Sequence, residues 1–402
     1  FEYEQRPPPF ATAGVVVGTF RFGAAAAFVE AHRTMLAGSR TTTVLLGAQA
    51  TRVRTAGEGG EVDAVEAAST PEQRFQIRAR VYVLAAGGIE NARLLLNSGI
   101  GNADLVGRCF MDHPTVRCRL ELASARTDLR SLDVLRIDGR PVLRALELSE
   151  QTLRAEGLLN GGFFVVPAQE RVLRAQAAAR SLIDAARKRR RPAEPRRQAV
   201  QLALGTDALA YAAHRRLARA VPAVEPSLRL WRRSQLLDTL GVGPITGWSN
   251  LRARPRVYDV HHVIEQSPDP NRRVVLGATR DIFGLPVARL HWFVGSRELE
   301  SAERAEQALR DELSRAGVGR LTTGRELDVD VHPTAHHHLG TTRMHEDARY
   351  GVVDSNTRLH GMTNLFVTGG SVFPTSGFVN PTLTIVALAL RLGTHLREEV
   401  MR

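Results

Sequence analysis

Residues 81–85 (VYVLA) form a short run of β-branched, aromatic and apolar side chains that ends on Ala86, Gly87 and Gly88, and from Ile89 the apolar spacing changes. That change of period constrains the fold more than anything else in the chain. A strand sends successive side chains to opposite faces. A helix gathers Ile89, Ala92, Leu95 and Leu96 on one side until Ser98 and Gly99 stop it. Strand, glycine turn and helix in succession belong to a doubly wound sheet, whose strand ends face a ligand. Residues 41–46 (TTTVLL) predict a second buried strand, and 365–368 predict another that runs into Gly369 and Gly370 ahead of a long final helix.

The middle of the chain has a different pattern. Residues 257–264, 273–276 and 286–292 predict an antiparallel sheet of the kind that covers a cofactor. Residues 169–190 predict a helix rich in alanine and arginine, and 298–315 an amphipathic one. At 402 residues the chain is long enough for two domains, since one usually takes about 100 to 200 residues.

The net charge of +12 is almost all arginine, with Lys188 the single lysine. The one dense cluster, residues 187–191 with Arg196 and Arg197, is broken by Pro192 and Pro195 and has no interleaved aromatic rings to stack on bases. It reads as a solvated linker, and no nucleic-acid partner is expected. Cys109 and Cys118 cannot build a disulfide framework, so a reducing, cytoplasmic location is expected. No stretch reaches the roughly 20 apolar residues of a membrane span, and residues 1–9 do not resemble a signal peptide.

The chemistry-bearing residues concentrate after position 334. Residues 336–344 (HHHLGTTRM) are followed by 351–354 (GVVD), 366–374 (FVTGGSVFP) and 380–382 (NPT). With 98–101 (SGIG), 106–114 (VGRCFMDHP) and 265–276 (EQSPDPNRRVVL), these segments closely resemble the glucose-methanol-choline (GMC) oxidoreductase family over most of the chain from about residue 41. The resemblance implies an α/β fold, α+β overall. A doubly wound FAD-binding domain would be formed by 1–115 and the return segment 326–402, with an antiparallel-sheet substrate domain in 116–325.

It also implies a reaction in which an alcohol gives its hydroxyl proton to a histidine and its carbinol hydride to flavin N5. Carried over by motif, the histidine is His337 and the partner of the substrate oxygen is Asn380. FAD contacts are implied at Gly87, Gly88, Asn91, Gly370, Ser371, Pro381 and Thr382. The segment variants are most like those of bacterial sugar and polyol dehydrogenases. Oxygen, a quinone or a cytochrome remains open as the electron acceptor.

Physical chemistry supports part of this independently. Histidine, with an unperturbed pKa near 6.5, can accept a proton at neutral pH, and Asn380 can donate a hydrogen bond without titrating. Asn380 followed by Pro381 also predicts an N-cap and first turn, which aims the positive end of the helix at whatever lies before it. Plainer readings stand beside these. His336 and His338 can share a face as metal ligands, although no carboxylate or cysteine at ligand spacing joins them. His338 reads as a packing or pocket residue and His113 as structural. The paired glycines can be simple turn residues.

The GxGxxG unit that anchors FAD diphosphate in whole family members is not found. The nearest pattern, Gly241, Gly243 and Gly247, has one residue too many. A missing N-terminal segment or a separate chain is expected to supply it, and the start at Phe1 favours truncation. The alternative is a non-catalytic or accessory fragment that does not bind FAD alone.

Overall fold

The computed structural model describes residues 3–400 apart from 22–24, 58–59, 125–126, 128, 130–131, 133–134, 138–139, 169, 189, 192–193, 205–255, 326–331 and 334–335. The pattern Gly241, Gly243 and Gly247 lies outside the described residues.

Antiparallel strands dominate the middle of the chain, as expected. Val257–Ile264 pairs with Pro114–Leu122 on one side and Gly161–Pro167 on the other, and Gly161–Pro167 pairs in turn with Arg140–Leu148. One face of this sheet is closed by helix Ser296–Arg315, which lays Ala302, Ala305, Leu309 and Leu313 on Cys118, Leu120, Val260 and Leu321. Their spacing of three and four places them on one helical stripe. Each fully buried leucine there contributes roughly 1.5–3 kcal/mol through removal of apolar area from water. On the same sheet Phe20, Leu143, Ala145, Phe164 and Val263 gather around Phe378, which arrives from the C-terminal segment. Gly162 makes room for that ring, since a Cβ there would lie 2.3 Å from it.

Residues 3–21 run in this sheet too, with Val15–Arg21 paired to Arg140–Leu148 and Tyr3–Arg6 paired to Val15–Arg21. The sequence expectation groups residues 1–115 with the ligand-binding half. Helix Ala25–Ala37 follows Val15–Arg21 closely, as in a strand and helix unit, and only the pairing with Arg140–Leu148, more than a hundred residues away, reveals where the strand goes.

The second core surrounds a pair of parallel strands, Tyr82–Leu84 and Leu365–Val367. Helix Gly87–Ser98 follows the first and ends at Gly99, whose left-handed φ of 68° closes the last turn. This is the strand, turn and helix predicted from the change of period. The strand is buried on one face only, however, with Val83 42% exposed between Tyr82 and Leu84. Residues 41–46 form no strand and are exposed, Leu46 at 89%. Gly47, at φ 66°, turns the chain just ahead of strand Gln49–Thr55, so the pairing begins after the apolar run.

Arg187 of the cluster ends helix Glu170–Arg187 and Arg196 and Arg197 lie in helix Pro195–Leu204, with Lys188 and Arg197 in exposed ion pairs to Asp184 and Glu194. Among the described residues, no helix is long and apolar enough to cross a membrane.

Candidate active site

The carboxyl ends of the two parallel strands lead into the paired glycines, and a network of backbone bonds fixes what lies beside them. Asn91, fully buried on the helix after the first strand, accepts a bond from the Ala86 N–H (2.8 Å). Its Nδ2 donates to Ser371 Oγ (2.9 Å) and to the Thr368 carbonyl (3.1 Å). One side chain therefore ties both strand ends together. The HxxGT segment runs along the second strand end, with N–H bonds from Gly340 to Gly370, Thr342 to Ser371 and Met344 to Val372. Leu339 and Met111 exchange both of their backbone bonds at 3.0 Å, which brings the DHP segment alongside.

The glycines divide into two kinds. An added Cβ at Gly88 would sit 2.3 Å from the His338 carbonyl oxygen, and one at Gly370 would sit 2.8 Å from the same atom. These two are packing glycines that let the histidine segment approach. Gly87 and Gly369 have φ of 86° and 103°, and a Cβ at either would meet no atom within 4 Å. Both are only partly exposed, but the space beside their Cα atoms is open at the strand ends, as close approach by a ligand requires.

His337 is half-buried. Its main-chain N–H donates to Asp112 Oδ1 (3.0 Å), and its Nδ1 is enclosed without a hydrogen-bond partner. Burial pushes the ring's proton affinity below the ordinary histidine range; Asp112 pulls it up, while His338 and His336 push it further down. Beside it, edge-on at 5.0 Å between ring centroids, lies His113, which is fully buried. Burial and the neighbouring His337 press the His113 pKa down to about 3 against a small opposing effect of the Gly377 backbone. Both rings are therefore neutral at pH 7. His338 leans on Phe110, with 5.4 Å between ring centroids.

Asn380 stands exposed two residues beyond Phe378. The final helix, Thr382–His395, begins one residue later than predicted, with Pro381 in the N-cap position and no side-chain cap. Pro381 has helical dihedrals (φ −77°, ψ −5°), and no side chain caps the helix amino end. Pro381 is buried and Thr382 exposed. Among the described residues, no hydrogen bond joins Asn380 to His337.

Two residues of this network carry no expectation from the sequence. Asp112 also accepts the His113 N–H (2.7 Å), and its own N–H donates to Gln266 Oε1 (3.1 Å). Gln266, wholly buried, takes a second bond from Trp292 Nε1 and is joined through its main chain to Ser376 Oγ (3.0 Å). The motifs DHP, EQSPDP and SVFPTSGF spell these positions, but only the fold shows that they converge. A separate surface cavity of about 130 Å³, lined by Arg108, Cys109, Pro270, Arg343, Tyr350 and Val352, contains none of the expected site residues.

Two family models described as GMC oxidoreductase match residues 20–115 and 268–389, together more than half of the chain. Fructose dehydrogenase large subunit of Gluconobacter japonicus is 34% identical over 146 residues, 36% of this chain and 25% of that protein. A C-glycoside 3-oxidase of Arthrobacter globiformis is 35% identical over 123 residues, 30% of this chain and 23% of that protein. The alignments thus span about a quarter of the curated relatives they match. Among solved structures, pyridoxine 4-oxidase from Mesorbium loti aligns at a TM-score of 0.48 and 18% identity, over 90% of this chain and 59% of that one.

Proposed function

Since the chain belongs to the GMC oxidoreductase family, we propose that it carries the base and substrate-holding half of an FAD-dependent oxidation of a CH–OH group. The observation that carries this reading is the half-buried His337 imidazole, held through its main chain by Asp112 in a segment whose His338 carbonyl packs against Gly88 and Gly370, just past the ends of two parallel strands.

The residues present fit the isoalloxazine end of FAD. Gly87 and Gly369 leave open space beside their Cα atoms where a planar ring system can lie, and Asn91 and Ser371 hold that edge rigid. The amino end of helix Thr382–His395 adds a positive partial charge nearby, suited to the electron-rich side of a flavin. When bound, FAD supplies the acceptor for the carbinol hydride.

This chain's own part is proton handling and orientation. The substrate hydroxyl gives its proton to the His337 nitrogen opposite the enclosed Nδ1, and the ring keeps the resulting charge next to the oxygen that lost it. Asn380 offers its amide N–H to that oxygen without changing charge. In this reading the two side chains need no hydrogen bond to each other, since both act on one substrate oxygen. Next in sequence to the base, His338 packs its ring against Phe110.

The names of the similar proteins, a fructose dehydrogenase and a C-glycoside 3-oxidase, favour a sugar or polyol as the alcohol. His337→Ala, in protein carrying FAD, is expected to slow flavin reduction by substrate on the order of a hundredfold, the usual scale for loss of a general base. Stopped-flow absorbance of the flavin band measures it. Reduction at the wild-type rate would overturn the assignment.

A further inference from the structure

Resting on the assignment of His337 as the base, we propose that Asp112 is its positioning residue: the carboxylate fixes the His337 main chain and governs how tightly the ring holds a proton. The geometry is specific. One oxygen of Asp112 accepts the N–H groups of both His113 (2.7 Å) and His337 (3.0 Å), residues from two segments far apart in sequence. Asp112 is only 5% exposed, and no arginine or lysine is paired with it among the described residues. Main-chain N–H groups hold the carboxylate, and the Asp112 main chain is held in turn by its own N–H donating to the Gln266 amide oxygen. Gln266 is itself immobilised by Trp292, Phe293 and Ser376.

Such a group does two things for a base. It stops the HxxGT segment from sliding along the second strand, so the imidazole keeps one position relative to the strand ends. It also places negative charge under a ring that burial makes a poor proton acceptor. The groups facing His337 are Asp112, His113, His336 and His338, and of these only Asp112 attracts a proton to the ring. His113, fully enclosed and neutral, adds no charge of its own at working pH.

The test uses the full chain with ¹³C-labelled histidine, and reads the His337 ring signal against pH, with His337→Gln identifying the signal. Asp112→Asn keeps an oxygen acceptor for the two N–H groups and removes the charge. The expected result is a His337 titration moved to lower pH on the order of one unit, the scale of losing an opposite charge nearby. The acid limb of flavin reduction in the FAD-loaded protein should move in the same direction. An unmoved His337 titration in folded Asp112→Asn protein overturns the proposal.

The conservative variant Asp112→Glu provides a second readout: it keeps a charged acceptor and should hold the His337 titration close to its wild-type position, and a shift there as large as in Asp112→Asn also overturns the proposal. These readouts do not depend on activity, so they fail separately from the assignment of the base. Normal flavin reduction by His337→Ala would remove the base while leaving the Asp112 coupling intact.

Discussion

Gly87 and Gly88 are neighbours with opposite surroundings, and the difference can be measured. Alanine at Gly88 would drive a methyl group into the His338 main chain, so Gly88→Ala is expected to lose roughly 1–3 kcal/mol through overpacking. Chemical denaturation would report it as a lower midpoint. Alanine at Gly87 meets no atom and bears only the cost of its positive φ, about 1–2 kcal/mol, but it fills the open space beside the main chain. Gly87→Ala is therefore expected to stay folded and to retain FAD less well, as read by flavin absorbance after gel filtration. Sequence alone showed both glycines as a turn and could not separate them, because the separating atom is a carbonyl from position 338. Asp112 was equally silent: its role depends on a partner 225 positions away. His337, by contrast, is singled out by a local pattern, HxxGT followed by a glycine-rich strand end.

Elements whose partners follow nearby, or whose faces differ sharply, were readable. Helix Ser296–Arg315 shows its buried stripe in its spacing, and strand Val257–Ile264 shows itself by branched and aromatic residues. The same helix contains a test of what pins it. Glu298 caps its first turn through the Gly295 N–H and forms a buried ion pair with Arg272, both side chains 1% exposed. Removing one partner strands the other charge, so Glu298→Ala is expected to cost about 3–5 kcal/mol. Replacing Arg272 and Glu298 together by apolar residues of similar volume should recover most of that in the same denaturation experiment. Residues 41–46 misled because an apolar run has the same appearance whether or not something covers it. The final helix makes the point from the other direction. Ile385, Leu388 and Leu392 pack inward, while Leu383, Val386 and Leu390 form a second apolar stripe left 45%, 39% and 70% exposed. A helix apolar on both sides normally lies between two layers. Leu383→Lys combined with Leu390→Lys is expected to leave the denaturation midpoint nearly unchanged, within about 0.5 kcal/mol per site, because both side chains are exposed.

Across the molecule, two histidines make folding sensitive to acid. Burial holds His113 at about 3 and, with a smaller push from Arg117 against a pull from Asp259, His261 at about 4. The unfolded chain takes up protons at these sites near pH 6.5 and the folded chain does not. Stability therefore rises with pH between those values and is lost as pH falls from about 6.5. The slope expected from urea midpoints is up to about 1.4 kcal/mol per pH unit for each histidine. Replacing His261, which lies away from the site, by Gln should remove its share. The large antiparallel sheet and the parallel pair also differ in how their chain segments find each other. Asn91 reaches Ser371 across 280 positions, and Asn364 bridges to Val62 across 302. A ribosome delivers the first strand of that pair long before the second exists, so the glycine ends can be assembled only once Leu365–Val367 has been made. Until then the early strand is an unpaired edge in need of protection, and a premature stop anywhere ahead of Leu365 would release a chain with its sheet half built.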